Sequence, residues 1–329
     1  MSNRNILVTG GAGYVGSHIC KILKDKGYTP VVLDNLSTGH KEFVKWGPLF
    51  VGDILSLSDL ESVFREFSIS SVIHCAAKAY VSESVSDPIK YYRENINGSI
   101  NLLETFIRYR GSNFIFSSSC AVYGNTTNIR IKENHETNPI NPYGFTKLAI
   151  EKLILDLKNM HEFNFAILRY FNAAGAELES NIGEWHEPET HVIPLMINSL
   201  KTQNVFKIFG NDYSTYDGTA IRDFVHVSDL AIAHINSLEF IARSKLDILC
   251  NIGSGDEISV LDLVLQMQKL DPEFQYVFEK RRIGDPDYLV ANNELSKIKL
   301  KMEYKNSNIS NILKTALQWS KNITINSNQ

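Results

Sequence analysis

A cluster of glycines between an apolar run and an amphipathic segment constrains the fold more than any other feature. Ile6-Leu7-Val8 leads into Gly10-Gly11-Ala12-Gly13-Tyr14-Val15-Gly16, and from Tyr14 to Lys26 apolar residues recur with the period of a helix. This order predicts a buried strand, a tight turn and a helix. Such a unit begins an α/β fold when further strands and helices follow in alternation.

The alternation of strands and helices continues well into the chain. Apolar runs predict strands at residues 31–33, 49–51, 71–75, 113–116 and 165–168, with helices at 58–67, around 101–104 and at 143–160. Ser56 or Ser58 would cap the first of these helices. Parallel sheets covered by helices on both faces have this rhythm. We therefore expect an α/β fold with a Rossmann-type, doubly wound parallel sheet.

The alternation breaks after Asn172. Residues 173–219 contain two prolines, several glycines and few long periodic stretches. A helix near 228–242 and an apolar run at 248–252 predict a brief return to the sheet, and a last helix is expected near 308–320. We therefore expect a cofactor domain at residues 1–172, with a return segment near 226–253. A smaller C-terminal α/β substrate domain is expected at residues 173–329.

Composition excludes several other classes of protein. The 329 residues are 43% hydrophobic and 21% charged, which excludes a disordered chain, a collagen-like repeat and a disulfide-rich miniprotein. A net charge of -4 provides no basic field for nucleic acid or anionic lipid. No apolar run approaches the ~20 residues of a membrane span, and the first residues lead into a strand rather than a signal segment. We expect a cytoplasmic protein with neither nucleic acid nor membrane as a partner.

Neither the cysteines nor the histidines predict a metal site. The cysteines form no Cys-x-x-Cys pair, and we expect buried, reduced thiols at Cys20, Cys75, Cys120 and Cys250. His186 and His191 resemble the histidines of a zinc-protease helix, but they are five residues apart, about 140° around a helix, and Pro188 interrupts the segment. We expect a loop there, a core or crevice position for His74, and no metal ion.

The glycine turn is suited to bind a dinucleotide. Without Cβ atoms at Gly10, Gly13 and Gly16, a pyrophosphate approaches the backbone closely, and the following helix presents free N–H groups to it. Asp34 ends the second strand, near the offset of a carboxylate that binds the adenosine ribose. Because a carboxylate repels a 2′-phosphate, we expect NAD rather than NADP. The alternative is a turn that only packs a helix on a sheet, with Asp34 at the surface.

Tyr143 and Lys147 form a candidate proton shuttle. They are four residues apart near the start of a predicted helix and therefore lie on one face. A tyrosine pKa of about 10 is too high for a base at neutral pH, and a nearby ammonium stabilises the phenolate. This spacing alone is common in helices. Here, however, Ser117-Ser118-Ser119 ends the preceding strand, where hydroxyls face the ligand crevice of a parallel sheet.

The same residues resemble the extended short-chain dehydrogenase/reductase family, and within it the 4-epimerases of UDP-sugars. The resemblance runs nearly end to end. It implies an isomerase of galactose metabolism that interconverts UDP-glucose and UDP-galactose through a transient 4-keto sugar, with NAD retained as a bound cofactor. The segments that carry it are Leu33-Asp34-Asn35, Gly52-Asp53-Ile54, Phe116 to Gly124, Pro142-Tyr143, Leu168 to Asn172, Gly218 to Asp223 and Arg281 to Pro286.

The resemblance also implies roles for individual residues. Tyr143 would take the proton from the sugar O4, Ser119 would bind the same oxygen, and Lys147 would lower the tyrosine pKa and hold the nicotinamide ribose. The implied NAD-site residues are Gly10, Gly13, Tyr14, Val15, Gly16, Asp34, Asn35, Asp53, Ile54, Ala76, Ala77, Asn95, Tyr143, Lys147 and Phe171. The implied substrate-site residues are Ser119, Asn172, His191, Val192, Phe209, Arg222, Arg282, Asp285 and Leu289.

The substrate side has both matches and departures. Arg222 and Arg282 would pair with the diphosphate through their planar guanidinium groups, while Asp285 resembles a uridine-ribose ligand and Phe209 a residue that packs on uracil. Three positions depart from the family. Lys78 stands one residue before the usual lysine and is assigned no role. Leu289 replaces a large tyrosine, and Thr190-His191-Val192 replaces asparagine and leucine. A leucine at 289 would leave room for N-acetylated sugars.

Several alternatives remain open. An epimerase of UDP-N-acetylglucosamine, UDP-glucuronate or UDP-xylose would use the same shuttle. A sugar-nucleotide 4,6-dehydratase needs a further acid and base, but Cys120 and Ala121 follow Ser119 and do not supply them. A non-catalytic NAD-sensing protein would not need Tyr143, Lys147 and Ser119 together. The family likeness also implies a homodimer formed through helices of the NAD domain.

Overall fold

A parallel sheet organises the protein. The computed structural model describes residues 4–126, 129–282 and 285–326. The strands are β1 (Asn5–Thr9), β2 (Thr29–Asp34), β3 (Leu49–Val51), β4 (Ser71–His74), β5 (Asn113–Ser119), β6 (Asn164–Tyr170), β7 (Asn172–Ala174), β8 (Ala176–Glu177), β9 (Ile182–Gly183), β10 (Phe206–Phe209), β11 (Ile221–Arg222), β12 (Phe224–His226), β13 (Ile248–Ile252), β14 (Ile258–Ser259), β15 (Tyr276–Glu279) and β16 (Tyr288–Leu289).

Helices connect most of these strands. They are α1 (Tyr14–Asp25), α2 (Leu57–Phe67), α3 (Val81–Ser86), α4 (Pro88–Tyr91), α5 (Gly98–Arg108), α6 (Pro142–Lys158), α7 (Val192–Thr202), α8 (Val227–Ser244), α9 (Val260–Leu270), α10 (Glu294–Lys299) and α11 (Ile309–Asn326). A π-helical turn at Tyr92–Asn97 joins α4 to α5. Across the described ranges, no helix has both the length and the apolar character to cross a membrane.

The central sheet has the predicted doubly wound form. Its seven strands lie in the order β13-β6-β5-β4-β1-β2-β3, and every adjacent pair is parallel. β13 pairs with β6, with Ile248 beside Ala166, so the chain returns to the sheet where the apolar run predicted it. The fold class is therefore confirmed.

Helices cover both faces of the sheet. Successive strand residues point to opposite faces, and apolar side chains therefore lie on both. Ile6 and Val8 belong to an apolar core that includes Ile19 of α1 and Leu230 of α8. Leu7, between them, belongs to the opposite core, which α2, α5 and α6 supply. Each such residue, fully buried, contributes roughly 1.5–3 kcal/mol of transfer free energy to folding. A strand apolar on both faces is fixed in the middle of the sheet.

Side-chain caps fix the starts of two helices. The Ser56 hydroxyl accepts a hydrogen bond from the Asp59 N–H at 3.3 Å, so Ser56 rather than Ser58 caps α2. The Asn141 side chain accepts from the Gly144 N–H at 2.9 Å, and Pro142 occupies the first turn of α6. These contacts start α6 directly before Tyr143, which places the tyrosine at the end of the sheet that carries Ser119.

The C-terminal residues build a separate apolar core from α7, α9, α11 and β10. Small sheets connect this core to the central sheet: β7 pairs with β12, and β11 lies between β14 and β16. The pairing of β11 with β16 sets Leu289 beside Arg222. Of the segment 281–286, Ile283 and Gly284 lie outside the described residues.

Candidate active site

A cavity of about 1040 Å³ opens at the carboxyl ends of the sheet strands. Residues that follow β1, β2, β4 and β5 line it from below, and segments of the C-terminal part line it from above. The predicted site residues that line it are Gly10, Gly13, Tyr14, Val15, Gly16, Asp34, Asn35, Asp53, Ile54, Ala76, Ala77, Asn95, Ser119, Tyr143, Phe171, Asn172, His191, Val192, Arg222, Arg282, Asp285 and Leu289. Lys147 and Phe209 are not among the lining residues.

The glycine turn forms one wall by close approach of backbone. Gly10 has a φ of +70°, and a Cβ there would lie 2.8 Å from the backbone nitrogen of Ala76. A Cβ on Gly16 would lie 2.1 Å from the carbonyl oxygen of Gly10. Neither position has room for a side chain. The wall is therefore bare backbone at the start of α1, which is the surface that a pyrophosphate requires.

Asp34 closes the turn at the end of β2. Its two carboxylate oxygens accept hydrogen bonds from the N–H groups of Ala12 and Leu36, both at 2.9 Å. Burial raises the pKa of Asp34, and these two hydrogen bonds oppose the shift. The carboxylate is thereby fixed at the cavity wall. This arrangement fits the adenosine half of NAD, whose ribose hydroxyls are donors.

Tyr143 and Ser119 meet on the opposite side of the cavity. Burial raises the pKa of Tyr143 to about 12, and a hydrogen bond with Ser119 partly offsets that rise. Only 7% of the tyrosine is exposed. The pair therefore offers a hydroxyl donor and a phenol side by side in a site with little solvent, which suits proton transfer to or from a sugar oxygen.

Lys147 lies behind the tyrosine. Its Nζ donates to the carbonyl oxygen of Ser117 at 2.7 Å and lies 5.8 Å from the Tyr143 ring centroid. Burial lowers the pKa of Lys147 to about 8. We predicted that this ammonium lowers the pKa of Tyr143. In the structure, burial has the larger effect and raises that pKa, so the phenol is protonated at neutral pH.

A buried ion pair that the sequence reasoning missed anchors the helix of Tyr143 and Lys147. Glu151, one turn after Lys147, pairs with the Arg169 guanidinium of β6 at 2.6 Å, and both side chains are almost fully buried. Ser118, next to Ser119, donates a hydrogen bond to the same carboxylate. The pair therefore links α6 to the strand ends that carry the candidate catalytic groups.

The guanidinium groups predicted to bind diphosphate already have partners. Arg222 forms an ion pair with Asp285, whose carboxylate also accepts from the Tyr213 hydroxyl at 3.1 Å. The Arg282 guanidinium stacks on the Phe209 ring, 4.0 Å from its centroid. Phe209 does not itself line the cavity, but it contacts Arg282, which does. The four predicted residues therefore form two contacting pairs, Arg222 with Asp285 and Arg282 with Phe209.

Leu289 and Asn172 complete this wall. Leu289 is buried against Cys120 and Phe171 and faces the cavity. The Asn172 side-chain amide donates to the backbone oxygen of Asp223 at 2.8 Å, which fixes its orientation. The position where the family has a large tyrosine is therefore a buried leucine on the wall of the same cavity as Ser119.

Comparison with known proteins identifies the family. The model of the NAD dependent epimerase/dehydratase family matches residues 6–253. The chain belongs to this family. It is 46% identical over 296 residues to the UDP-glucose 4-epimerase of Rhizobium meliloti (strain 1021), which covers 89% of this chain and 90% of that protein.

Two further relatives of the epimerase/dehydratase family match nearly the whole chain. The UDP-glucose 4-epimerase of Rhizobium leguminosarum bv. trifolii is 41% identical over 321 residues, which are 97% of this chain and 98% of that protein. The crystal structure of the Brucella ovis UDP-glucose 4-epimerase in complex with NAD superposes with a TM-score of 0.92. It is 42% identical and covers 96% of this chain and 98% of that chain.

In this member of the family, residues 184–191 form the predicted loop, and no zinc-protease helix is present in that described segment. The side chains nevertheless converge. His191 Nδ1 lies 2.8 Å from Glu184 Oε1 and 3.1 Å from Glu189 Oε1. His186 Nδ1 lies 3.3 Å from Glu184 Oε1 and 3.7 Å from Glu189 Oε2. Burial lowers the pKa of both histidines, but the carboxylates outweigh it and raise them to about 9 for His186 and about 10 for His191.

Other lining residues had no assigned role. Tyr80 contacts the rings of His186 and His191. Lys78 lines the cavity, with its Nζ 3.3 Å from the Ser37 hydroxyl. Cys75 is half-buried, not buried as predicted, because it follows β4 at the cavity floor. The sequence signal that could have identified all three is their position, since each follows the carboxyl end of a sheet strand or lies in the next turn.

His74 is the predicted core histidine, bonded to Thr9 and Ser99.

Proposed function

We propose that this chain is a UDP-glucose 4-epimerase that interconverts UDP-glucose and UDP-galactose and retains NAD as its cofactor. The observation that carries the proposal is the meeting of three features at one cavity. These are a bare glycine turn, the Tyr143 and Ser119 pair, and the guanidinium groups of Arg222 and Arg282. The names of its relatives support the same activity.

The glycine turn would hold the NAD pyrophosphate at the start of α1, and Asp34 would accept hydrogen bonds from the adenosine ribose. Lys147, beside the carbonyl of Ser117, would donate to the nicotinamide ribose. NAD supplies the hydride acceptor for the sugar C4 and a positive charge in the cavity. The remaining cofactor contacts would come from the lining residues predicted by resemblance.

Tyr143 would act as the base on the sugar O4. Because burial raises the pKa of Tyr143, positive charge in the cavity would favour release of the phenol proton, and the Lys147 ammonium would add to that charge. Ser119 would donate to the same oxygen and hold it within reach of the phenolate. After C4 loses its hydride, the 4-keto sugar would turn and accept hydride on its other face, while Tyr143 returns the proton.

The C-terminal wall would bind the nucleotide. Arg222 would exchange its contact with Asp285 for the diphosphate, which frees the carboxylate for the uridine ribose. Arg282 would bind the diphosphate and Phe209 would pack on uracil. Asn172, His191, Val192 and Leu289 would surround the sugar. This exchange explains why Arg222 and Asp285 are partners in the structure and ligands in the proposal.

We also propose the domain division predicted from sequence, with cofactor bound by residues 1–172 and 226–253 and UDP-sugar bound by residues 173–329. A homodimer would form through α5 and α6, whose exposed apolar side chains include Ile100, Phe145 and Leu155. The protein would act in the cytoplasm, in galactose metabolism.

A panel of UDP-sugars tests the activity. Purified protein is incubated with UDP-galactose, UDP-N-acetylglucosamine, UDP-glucuronate or UDP-xylose, without added NAD, and the epimers are separated. We expect UDP-glucose from UDP-galactose at the highest rate, and one NAD per chain released on denaturation.

Tyr143→Phe keeps the ring but removes the proton shuttle, and should reduce turnover by ~10²–10⁴-fold. Tyr92→Phe changes an exposed tyrosine outside the cavity and is the matched control. Near wild-type turnover by a folded, NAD-loaded Tyr143→Phe variant would overturn the assignment of the base.

A further inference from the structure

Glu184, His186 and Glu189 have no part in the proposed reaction, yet they converge with His191 at the edge of the cavity. The ligand atoms of all four side chains lie within 4.8 Å of one another. We propose that these four residues bind a zinc ion that holds the loop of residues 184–191 closed. From the sequence we predicted no metal here, because the two histidines were compared only with the pair in a zinc-protease helix.

The His–Glu separations are near those of a tetrahedral zinc site. The four His–Glu distances between Nδ1 and carboxylate oxygen are 2.8, 3.1, 3.3 and 3.7 Å. Nitrogen and oxygen ligands about 2.0–2.1 Å from zinc in a tetrahedron lie about 3.3 Å from each other. These four His–Glu separations lie within about 0.5 Å of that value, and all four ligand atoms already lie within 4.8 Å of one another. Small side-chain rotations would bring them onto one zinc ion.

The donor chemistry and the charge also fit zinc. Imidazole nitrogens and carboxylate oxygens are ordinary zinc ligands. Zinc would displace the protons that the two imidazoles hold beside the carboxylates, and the two carboxylates would then balance the dication. The Glu184 side chain is only 7% exposed. The Nδ1 of His186 is buried and makes no hydrogen bond with any residue that the structure describes, although it lies within ion-pair distance of both carboxylates. A buried nitrogen without a hydrogen bond, directed at two carboxylates, is the arrangement that a metal ion completes.

The loop is held in place by contacts outside the cluster. Trp319 Nε1 donates to the backbone oxygen of Glu184 at 2.8 Å, and the Trp185 ring stacks on His40. The N–H groups of Thr190 and His191 donate to one oxygen of Glu189, which orients that carboxylate. These contacts bring the ligands close to one another beforehand, and the metal would restrict the movement that the loop still has.

Four protein ligands would leave no open position for substrate, so the zinc would be structural rather than catalytic. All four ligands lie within eight residues, and α7 begins directly after His191. The ion would therefore tie the loop to the start of α7 and limit its movement away from Tyr14 and Tyr80. This structural role uses no step of the proposed epimerase reaction, and of its four ligands His191 alone is also placed beside the sugar.

Zinc binding by the untagged full-length protein tests the inference. The protein is treated with a chelator, exchanged into chelator-free buffer and titrated with ZnCl₂, and bound zinc is measured by mass spectrometry. We expect one zinc per chain and a higher Tm on addition of zinc. Replacement by Co²⁺ should give the intense visible absorption of a tetrahedral site.

Glu184→Gln and His186→Gln should each lose the bound zinc and the increase in Tm. His161→Gln removes an exposed histidine far from the cluster and should bind zinc like the wild type. If the stripped wild type takes up no zinc at micromolar concentrations, the proposal is wrong, whatever the variants do. It is equally wrong if Glu184→Gln and His186→Gln fold and bind as much zinc as the wild type.

Discussion

Two loops meet at the cavity and are built in different ways. Residues 10–16 expose backbone, because side chains at Gly10 and Gly16 would collide with neighbouring main chain. Residues 184–191 do the opposite: their side chains converge, and the Tyr14 and His186 rings bring the two loops together at 6.3 Å. A backbone surface is dictated by local residue types, whereas a side-chain cluster depends on where distant elements hold the chain.

Gly16→Ala should disrupt the backbone wall of the glycine turn more than any other substitution proposed for it. The new Cβ would lie 2.1 Å from the Gly10 carbonyl oxygen, so the turn must move. We expect a loss on the order of 4 kcal/mol in the free energy of unfolding, together with loss of bound NAD. Urea unfolding and NAD content are the measurements. Gly13→Ala is the milder companion, since its Cβ would meet the same oxygen at 3.2 Å. Equal costs for the two variants would show that close approach does not shape this wall.

Leu289→Tyr tests the side-chain wall of the cavity. An N-acetyl group needs space near the sugar, and the larger ring would fill it. We expect the wild type to epimerise UDP-N-acetylglucosamine at least weakly. The variant should lose that activity relative to UDP-galactose turnover by tens of fold or more, about 1–3 kcal/mol. The measurement is the ratio of the two kcat/KM values, with Leu246→Tyr on an exposed segment as control. An unchanged ratio would exclude Leu289 as the gate.

Unlike the carboxylate-paired histidines of the second loop, His74 in the sheet is buried without a carboxylate partner among the described residues, and the pH dependence of stability tests its charge state. Burial, and to a lesser extent Lys147, lowers the pKa of His74 to about 3. The unfolded chain takes up a proton near pH 6.5 that the folded chain refuses, so stability falls as pH drops below that value. Between pH 7 and 5 the wild type should lose about 2 kcal/mol more than His74→Gln. Urea unfolding at both pH values measures this, and equal losses would mean that His74 is not held neutral.

The smallest expected effect concerns a helix cap. Ser56→Ala removes the hydroxyl that accepts from the Asp59 N–H and should cost about 1 kcal/mol. Ser58→Ala, at the other predicted cap position, should cost clearly less. Thermal or urea unfolding distinguishes them. A larger effect at Ser58 would mean that α2 starts later than the hydrogen bond indicates.

Sequence reasoning succeeded where the physical cause is local. The glycine spacing, the alternation around Leu7 and the position of Asp34 at a strand end are short-range patterns, and the sheet and the cavity follow from them. It succeeded less well where contacts between distant parts of the chain determine the burial and the partners of a side chain. Nothing local reveals that burial would outweigh Lys147 at Tyr143, or that Arg222 would meet Asp285 from 63 residues away.

The second loop shows the same limit. The spacing of His186 and His191 correctly excluded a zinc-protease helix. Helical spacing does not say which side chains meet in an irregular loop. Glu184 is held by Trp319, which lies 135 residues further along the chain. Only the folded chain brings the two carboxylates and two imidazoles together.

In the proposed reaction, hydride leaves the sugar C4 and returns to it within one cavity. UDP-glucose carrying deuterium at C4 tests this directly in ordinary water. Hydride held on NAD does not exchange with solvent, so the UDP-galactose formed should retain deuterium at C4, as measured by mass spectrometry and NMR. Loss of the deuterium to water would show that C4 is deprotonated by a side chain instead, and would contradict the account.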